Sequence, residues 1–295
     1  MNLKTIRKLK VDKIIVLILL LMPIVFYGWR ISLRSPRVNL RQQLFLGIVY
    51  QRKIYAKPRP YVANIVEIDL NNPKIIPFVS STPTGSTDNK ILAMTTSEFI
   101  QKHNLNLAIN GSFFYPFTES TPWDFYPHSG DAVNALGESI SDRKRYGIPG
   151  EEWNVLCFSS SNIATIETKS CSPNRVRGIA GKELLLEQGN STIDNNGGSY
   201  ARSGVGINAT GNKLWLVVVD GKQPFYSEGV TLKEFADLFI SLGCDRALNL
   251  DGGGSSTLVM QKSGDLDILN APIHTKIPMR ERPVANHLGF KVNLK

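Results

Sequence analysis

Histidine and cysteine are both scarce, and their placement narrows the chemistry open to this chain of 295 residues. The four histidines, His103, His128, His274 and His287, are isolated from one another and from cysteine, so no zinc-ligand spacing exists. Of three cysteines, Cys157 and Cys171 either pair across a hairpin or remain reduced in the core, and Cys244 is left over. Acidic residues are missing from the N-terminal part. Residues 1–60 hold 13 Lys/Arg against the single acid Asp12, whereas 61–295 hold 21 Lys/Arg against 24 acids. The net charge of +9 is therefore an N-terminal property. The main domain is slightly acidic, and no nucleic-acid partner is expected.

Charge of either sign is absent from residues 14–29, IIVLILLLMPIVFYGW. As a helix this run is ~24 Å long, close to the ~30 Å of a hydrocarbon core once Val11, Ile31 and snorkelling cations extend it. Tyr27 and Trp29 occupy the interfacial position. FYGWRISLRS offers no small-x-small cleavage site, which favours an uncleaved signal-anchor. The expected organisation is a basic cytoplasmic tail (1–13), a transmembrane signal-anchor (14–31), a basic stalk (32–60) with a short helix near 40–50, and one domain (61–295). Nearly all the mass follows the span, which places the domain outside the cytoplasm, in the periplasm or at the cell surface.

From Tyr61 onward the texture changes. YVANIVEIDL and KIIPFVS alternate as strands around the turn NNP. TTSE (95–98) and TLKE (231–234) are capping boxes opening two helices, the second closed by Gly243. WNVLCFS with NIATIET, and the segment 203–222, read as hairpins, whereas 112–153 is long, aromatic and irregular. Many strands and few helices predict an α+β fold: a mixed, largely antiparallel sheet flanked by helices, preceded by the transmembrane helix. One plan occurs twice. TTSEFI…LNLAINGSFF and TLKEFA…RALNLDGGGSS each give a capped helix, a short buried strand and a Gly/Ser loop. The two strands are expected to be neighbours, with their loops meeting at one end of the sheet.

The second of those loops carries the chemistry. In LNLDGGGSSTLVM (248–260) one carboxylate, three glycines and three hydroxyls lie between apolar runs. No Gly-Lys-Ser/Thr end makes it a P-loop, no Gly follows the serine as in a nucleophile elbow, and no helix pattern follows for dinucleotide binding. What remains is a loop whose glycines admit close approach and whose N–H and hydroxyl groups can hold an anion. Asp251 at its head can donate a proton, accept one or ligate a cation.

The stretch GVTLKEFADLFISLGCDRALNLDGGGSSTLV (229–259) resembles the signature of the phosphodiester glycosidase family, and AINGSFF (108–114), ARSGVGI (201–207), VVVDGK (217–222) and ERPVANHL (281–288) match in order. ARSGVGI departs from the family's Arg-Thr/Ser-Ala-Val/Ile-Gly while keeping the arginine and serine. The insert after AINGSFF is more similar to a bacterial, exopolysaccharide-associated branch. The resemblance implies hydrolysis of the bond between a sugar anomeric carbon and a phosphodiester, with a sugar-phosphate or polysaccharide as partner. Such a substrate needs an anion clamp, a proton-moving group and a sugar shelf. Asp251, Asp220 and Asn110 are the catalytic candidates. Arg202 and Arg282 suit phosphate in a bidentate way, beside Gly252, Gly253, Gly254, Ser255, Ser256 and Thr257. Asn286 suits sugar hydroxyls, Trp123, Phe125 and Tyr126 suit sugar faces, and His128 with Asp131 suits a metal or a ligand. No metal or other cofactor is expected to be required, although oxygens of this type suit Ca²⁺ or Mg²⁺. Two other readings fit the same residues: a non-catalytic glycan-binding or assembly factor, and a metal-dependent phosphodiesterase.

Overall fold

Strands whose two faces are both apolar build the centre of the molecule, a computed structural model that describes residues 3–82, 90–194 and 197–293. In Lys213–Val219, Leu214, Leu216 and Val218 face one core while Trp215, Val217 and Val219 face another. Tyr61–Asp69 divides in the same way, Val66 and Ile68 against Ala63 and Ile65. With a side-chain period of two, a strand buried on both sides must be covered on both sides. An eight-stranded antiparallel sheet runs in the order Leu40–Phe45, Ile48–Tyr55, Tyr61–Asp69, Lys213–Val219, Arg202–Ile207, Arg246–Asn249, Leu184–Glu187, Asn190–Ser191. A five-stranded antiparallel sheet, Asp265–Ile268, Leu258–Lys262, Leu107–Asn110, His287–Val292 and Ile75–Val79, contributes Leu107, Ile109, Leu258, Leu288 and Phe290 to the first core. The helix Leu232–Ser241 covers the second core with Phe235, Ala236 and Phe239. The helix Thr96–His103 packs Phe99 and Ile100 against Ala108 and Val259 on the far side of the smaller sheet. The fold is α+β as expected. Every ladder between named strands is antiparallel, and among the described residues parallel pairing is confined to the bridge between Leu136 and Ile148.

Both capping boxes form. Thr95 Oγ1 accepts from Glu98 N–H while the Glu98 carboxylate accepts from Thr95 N–H, and Thr231 and Glu234 do the same. The two matching units do not lie side by side, however: Leu107–Asn110 and Arg246–Asn249 belong to different sheets. Each helix covers the outer face of its own sheet, which forces the strands beneath them onto opposite sides of the shared core. Their loops nevertheless meet, for Asp251 N–H donates to Gly111 O at 3.0 Å.

The expected stalk is corrected by the sheet. No helix forms near residues 40–50. Leu40–Phe45 and Ile48–Tyr55 are its edge strands, with Ile48 opposite Ile68 and Tyr55 opposite Tyr61. Ile48, Tyr50 and even Arg52 point inward, so the period-two pattern is present but its cations disguise it. The long segment 112–153 is likewise organised, by strands of two to four residues such as Phe114–Tyr115, Thr118–Glu119, Phe125–Tyr126 and Ala132–Ala135.

Cys157 and Cys171 form a disulfide over a separation of 14 residues, and Cys244 is buried and free. A loop of that length is worth about 3 kcal/mol. Dithiothreitol is expected to lower the melting temperature by about 6–12 °C; a melt unmoved by full reduction contradicts this. The N-terminal helix Leu3–Ser32 contains a stretch, Ile15–Ser32, long and apolar enough to cross a membrane and not buried in the fold. By length and composition it is either an anchor or a signal segment.

Candidate active site

The two buried strand ends are tied together by side-chain amides. Asn110 Nδ2 donates to Asp251 O at 2.7 Å, and its Oδ1 accepts from Ser203 Oγ (2.7 Å) and from Thr257 N–H (3.1 Å). Asn286 does the same for the neighbouring loop. Its Oδ1 accepts from Ser112 N–H (2.8 Å), and its Nδ2 donates to Ser112 Oγ (3.2 Å) and Ser139 Oγ (2.9 Å). Both amides are wholly buried. Asn110 and Asn286, expected to contact substrate, thus direct these side-chain bonds to the two loops.

Between these clips the chain makes a 3₁₀ turn, Gly253–Ser255, with Gly253 at φ +61°, where glycine meets no Cβ penalty. Gly253 N–H donates to Ala201 O at 2.8 Å and holds the turn to the larger sheet. Gly254 leaves room for the side chain that crosses the turn. A Cβ there would lie 2.5 Å from Arg282 Nη2 and 2.8 Å from its Cζ.

Arg282 lies across the turn. Its Nη1 donates to Ser255 Oγ (3.2 Å), Nη2 to Glu119 Oε2 (2.7 Å) and Nε to His274 Nδ1 (3.3 Å), and its guanidinium stacks on Phe117 at 4.3 Å. Those bonds use three of the five N–H groups a guanidinium offers. Asp251 is partly exposed at the head of the turn. Burial pushes its carboxyl up to about 6, against the opposing pull of the Ser255 hydroxyl, Arg282 and Gly252 N–H. Because Arg282 Nε–H is a donor, His274 Nδ1 is an acceptor and the imidazole proton sits on Nε2. Burial, then the charges of Arg282, Arg280 and His128, hold this histidine neutral with a pKa near 3. Ser256 Oγ, Thr257 Oγ1 and His274 Nε2 are all buried with no hydrogen-bond partner among the described residues. Unpartnered buried atoms occur elsewhere too, at Thr96 and His287 for example, and these three are distinguished by lying beside Asp251 and Arg282 at one turn.

The other expected site residues divide. Asp220 is buried behind the turn, where its carboxylate accepts from Ala271 N–H (2.8 Å), Asn270 Nδ2 (3.0 Å) and Asn64 Nδ2 (3.1 Å). Asn270 Nδ2 also donates to Ser256 O, so Asp220 reaches the turn through one intermediary. Burial raises Asp220 to about 6 as well. Arg202 adjoins Gly252 by its backbone, but its guanidinium is directed at Val230 O (2.9 Å) and Gly198 O (3.2 Å). Trp123 is 85% exposed. His128 pairs with Asp131 and packs on Phe125, and it is Phe125, edge-on to His274 at 4.8 Å, that links the aromatic loop to the turn. Glu119 and His274 carry no local pattern that singles them out. Glu119 lies between Thr118 and Ser120 and His274 between Ile273 and Thr275, each in a strand of two residues. Among the described residues no three His, Cys, Asp or Glu side chains converge.

No curated protein matches the chain. Several solved structures share its fold, among them the following three. The catalytic domain of zebrafish N-acetylglucosamine-1-phosphodiester α-N-acetylglucosaminidase, auto-inhibited by its pro-peptide, aligns over 88% of this chain and 85% of its own, with TM-score 0.58 and 20% identity. An exported protein from Burkholderia pseudomallei aligns over 79% and 74% (TM-score 0.55, 14% identity). A hypothetical protein from Synechocystis aligns over 88% and 64% (TM-score 0.51, 15% identity). The phosphodiester glycosidase family model matches residues 103–291, which include both clips, the glycine turn, Arg282 and His274. That match spans more than half of the sequence, and the chain therefore belongs to the phosphodiester glycosidase family and is a hydrolase of that class.

Proposed function

We propose that this hydrolase cleaves the bond between the anomeric carbon and the phosphodiester of sugar-1-phosphodiesters, of the N-acetylglucosamine-1-phosphodiester type, in cell-surface glycan or exopolysaccharide. One observation carries the reading: a single glycine turn brings together an ionisable carboxyl, Asp251, and a guanidinium with free N–H groups, Arg282, across Ser255. The guanidinium answers the phosphate charge, and a phosphate leaves readily without strong acid assistance. Asp251 is the group placed to move a proton, Ser256, Thr257 and His274 Nε2–H supply hydrogen bonds, and Asn110 and Asn286 position the loops. The helix Leu3–Ser32 serves as an uncleaved anchor, and the disulfide suits an oxidising compartment outside the cytoplasm.

The test is hydrolysis of UDP-N-acetylglucosamine and simple N-acetylglucosamine-1-phosphodiesters by the purified protein in ¹⁸O-water. Label in the sugar is the expected result. Label in the phosphate means P–O cleavage, the phosphodiesterase reading. Glycan binding with no turnover means a binding factor. A truncated form for this assay must begin before Leu40, because the strands from there on complete the sheet.

Gly254→Ala tests the clamp. The new Cβ meets only the far end of Arg282, so the side chain gives way while the turn remains. Losing a charge-assisted contact of about 1.5–3 kcal/mol should lower kcat/KM by roughly 10- to 100-fold with little change in melting temperature. Unaltered kinetics would remove Arg282 from the phosphate site.

A further inference from the structure

The exit of the apolar helix is attached to the same hairpin that carries His274. Arg30, in the last turn of that helix, donates from Nε to Pro278 O at 2.8 Å. The strand Ile277–Pro278 pairs with Ile273–His274, which places His274 opposite Ile277. Strands lie ~5 Å apart and rise ~3.3 Å per residue, so the His274 backbone is on the order of 10 Å from the carbonyl that Arg30 holds. Arg280 continues the connection. It donates to Pro122 O, and it stacks on Phe125 beside His274.

A second tie lies close by. Arg37 Nη1 donates to Phe225 O (3.0 Å), Tyr226 Oη donates to Ser35 O (3.0 Å), and the Arg34 guanidinium covers the Tyr226 ring at 5.2 Å. The loop so held begins at Asp220, the residue buried behind the glycine turn. Phe225 within it is 91% exposed and has φ +65°, an unusual conformation for a bulky residue. No part of the fold buries this ring. It lies instead in a loop tied to the foot of a helix of bilayer width by Arg37 and Arg34, with Lys222 three residues before it. Aromatic rings and cations at such a level are the composition of a membrane interface.

We infer that the candidate site works at the membrane surface and that its substrate is lipid-tethered: a sugar-1-phosphodiester whose aglycone carries an alkyl chain held in the same bilayer. This rests on the proposed activity and on the helix being retained. A tethered substrate presents its sugar and phosphate at headgroup height, where the hairpin holds the site, and anchoring both partners raises their effective concentration. In the reaction the oxygen of water bonds to the anomeric carbon as that carbon's bond to the phosphodiester oxygen breaks. The free sugar and a lipid monophosphate result, the latter keeping the electron pair, and one water proton passes to solvent.

The experiment uses the full chain reconstituted into phosphatidylcholine–phosphatidylglycerol vesicles. It compares methyl and tetradecyl esters of N-acetylglucosamine 1-phosphate. The tetradecyl ester is expected to show kcat/KM at least about 30-fold higher. That preference is expected to fall several-fold in Phe225→Asn, a residue that tolerates positive φ and leaves the core untouched, with an unchanged melting temperature. Equal rates, or slower cleavage of the tetradecyl ester because the site faces away from the bilayer, overturn the inference and leave the hydrolase reading intact. A preference undiminished in Phe225→Asn overturns the assigned surface. Cleavage of neither ester removes the activity reading and this inference with it.

Discussion

Asp251→Asn is expected to lower kcat by about 10³-fold, in line with loss of a positioned proton-transfer group, while melting at pH 7 stays level or rises slightly. The substitution is isosteric, and the turn is held by other atoms: Asp251 O on Asn110, Gly253 N–H on Ala201 O, and Ser255 Oγ on Arg282. The stability sign follows from the carboxyl's folded pKa of about 6, above its unfolded value of 3.8. A group that binds its proton more tightly when folded favours folding below the unfolded pKa, and that advantage is lost as pH rises from about 4 to 6. At pH 7 the ionised carboxylate opposes folding and an amide does not. The melting-temperature difference between variant and wild type should therefore vanish at pH 4. A large loss of stability at pH 7 would mark Asp251 as a structural residue. In activity profiles His274, held neutral, contributes no break near pH 6, whereas Asp251 and Asp220 are both raised to about 6. A break that belongs to Asp251 should disappear in Asp251→Asn and persist in Asp220→Asn.

The parts of this molecule that sequence made legible are those encoded locally. The capping boxes at Thr95 and Thr231, the hairpin joining Arg202–Ile207 to Lys213–Val219, and the glycine turn each need only a few neighbouring residues to declare themselves. Burial of cations hid the edge strands: Arg52 lies inward in Ile48–Tyr55, and alternation containing arginine reads as a solvated segment. The division into two sheets was also not encoded locally, since it depends on each helix covering a different outer face. Glu119 and His274 reach Arg282 from distant two-residue strands, and no spacing rule brings them together. Asn110 and Asn286 were legible as important but not in what they do. Only hydrogen-bond partners separate an amide that holds a loop from one that faces a ligand.

Asp220 tests that distinction on a carboxylate. Asp220→Ala is expected to destabilise the protein by about 3 kcal/mol, or about 6–12 °C in melting temperature. Two effects oppose each other. Keeping the carboxylate ionised at pH 7 against a folded pKa of about 6 costs about 3 kcal/mol relative to the unfolded chain, and alanine removes that cost. Alanine also strands three buried donors, Ala271 N–H, Asn270 Nδ2 and Asn64 Nδ2, at about 1–3 kcal/mol each. It leaves a small cavity as well, so the loss prevails. Asp220→Asn separates positioning from catalysis. Its retained Oδ1 still accepts from Ala271 and Asn270, and Asn270 still supports Ser256 O. The new Nδ2 sets a donor against Asn64 Nδ2, a loss of about 1–3 kcal/mol, but the cost of the buried charge disappears with it, so stability and turnover should stay within about tenfold of wild type. A loss of turnover as deep as that of Asp251→Asn, in a folded Asp220→Asn protein, would instead make the two carboxyls a catalytic pair.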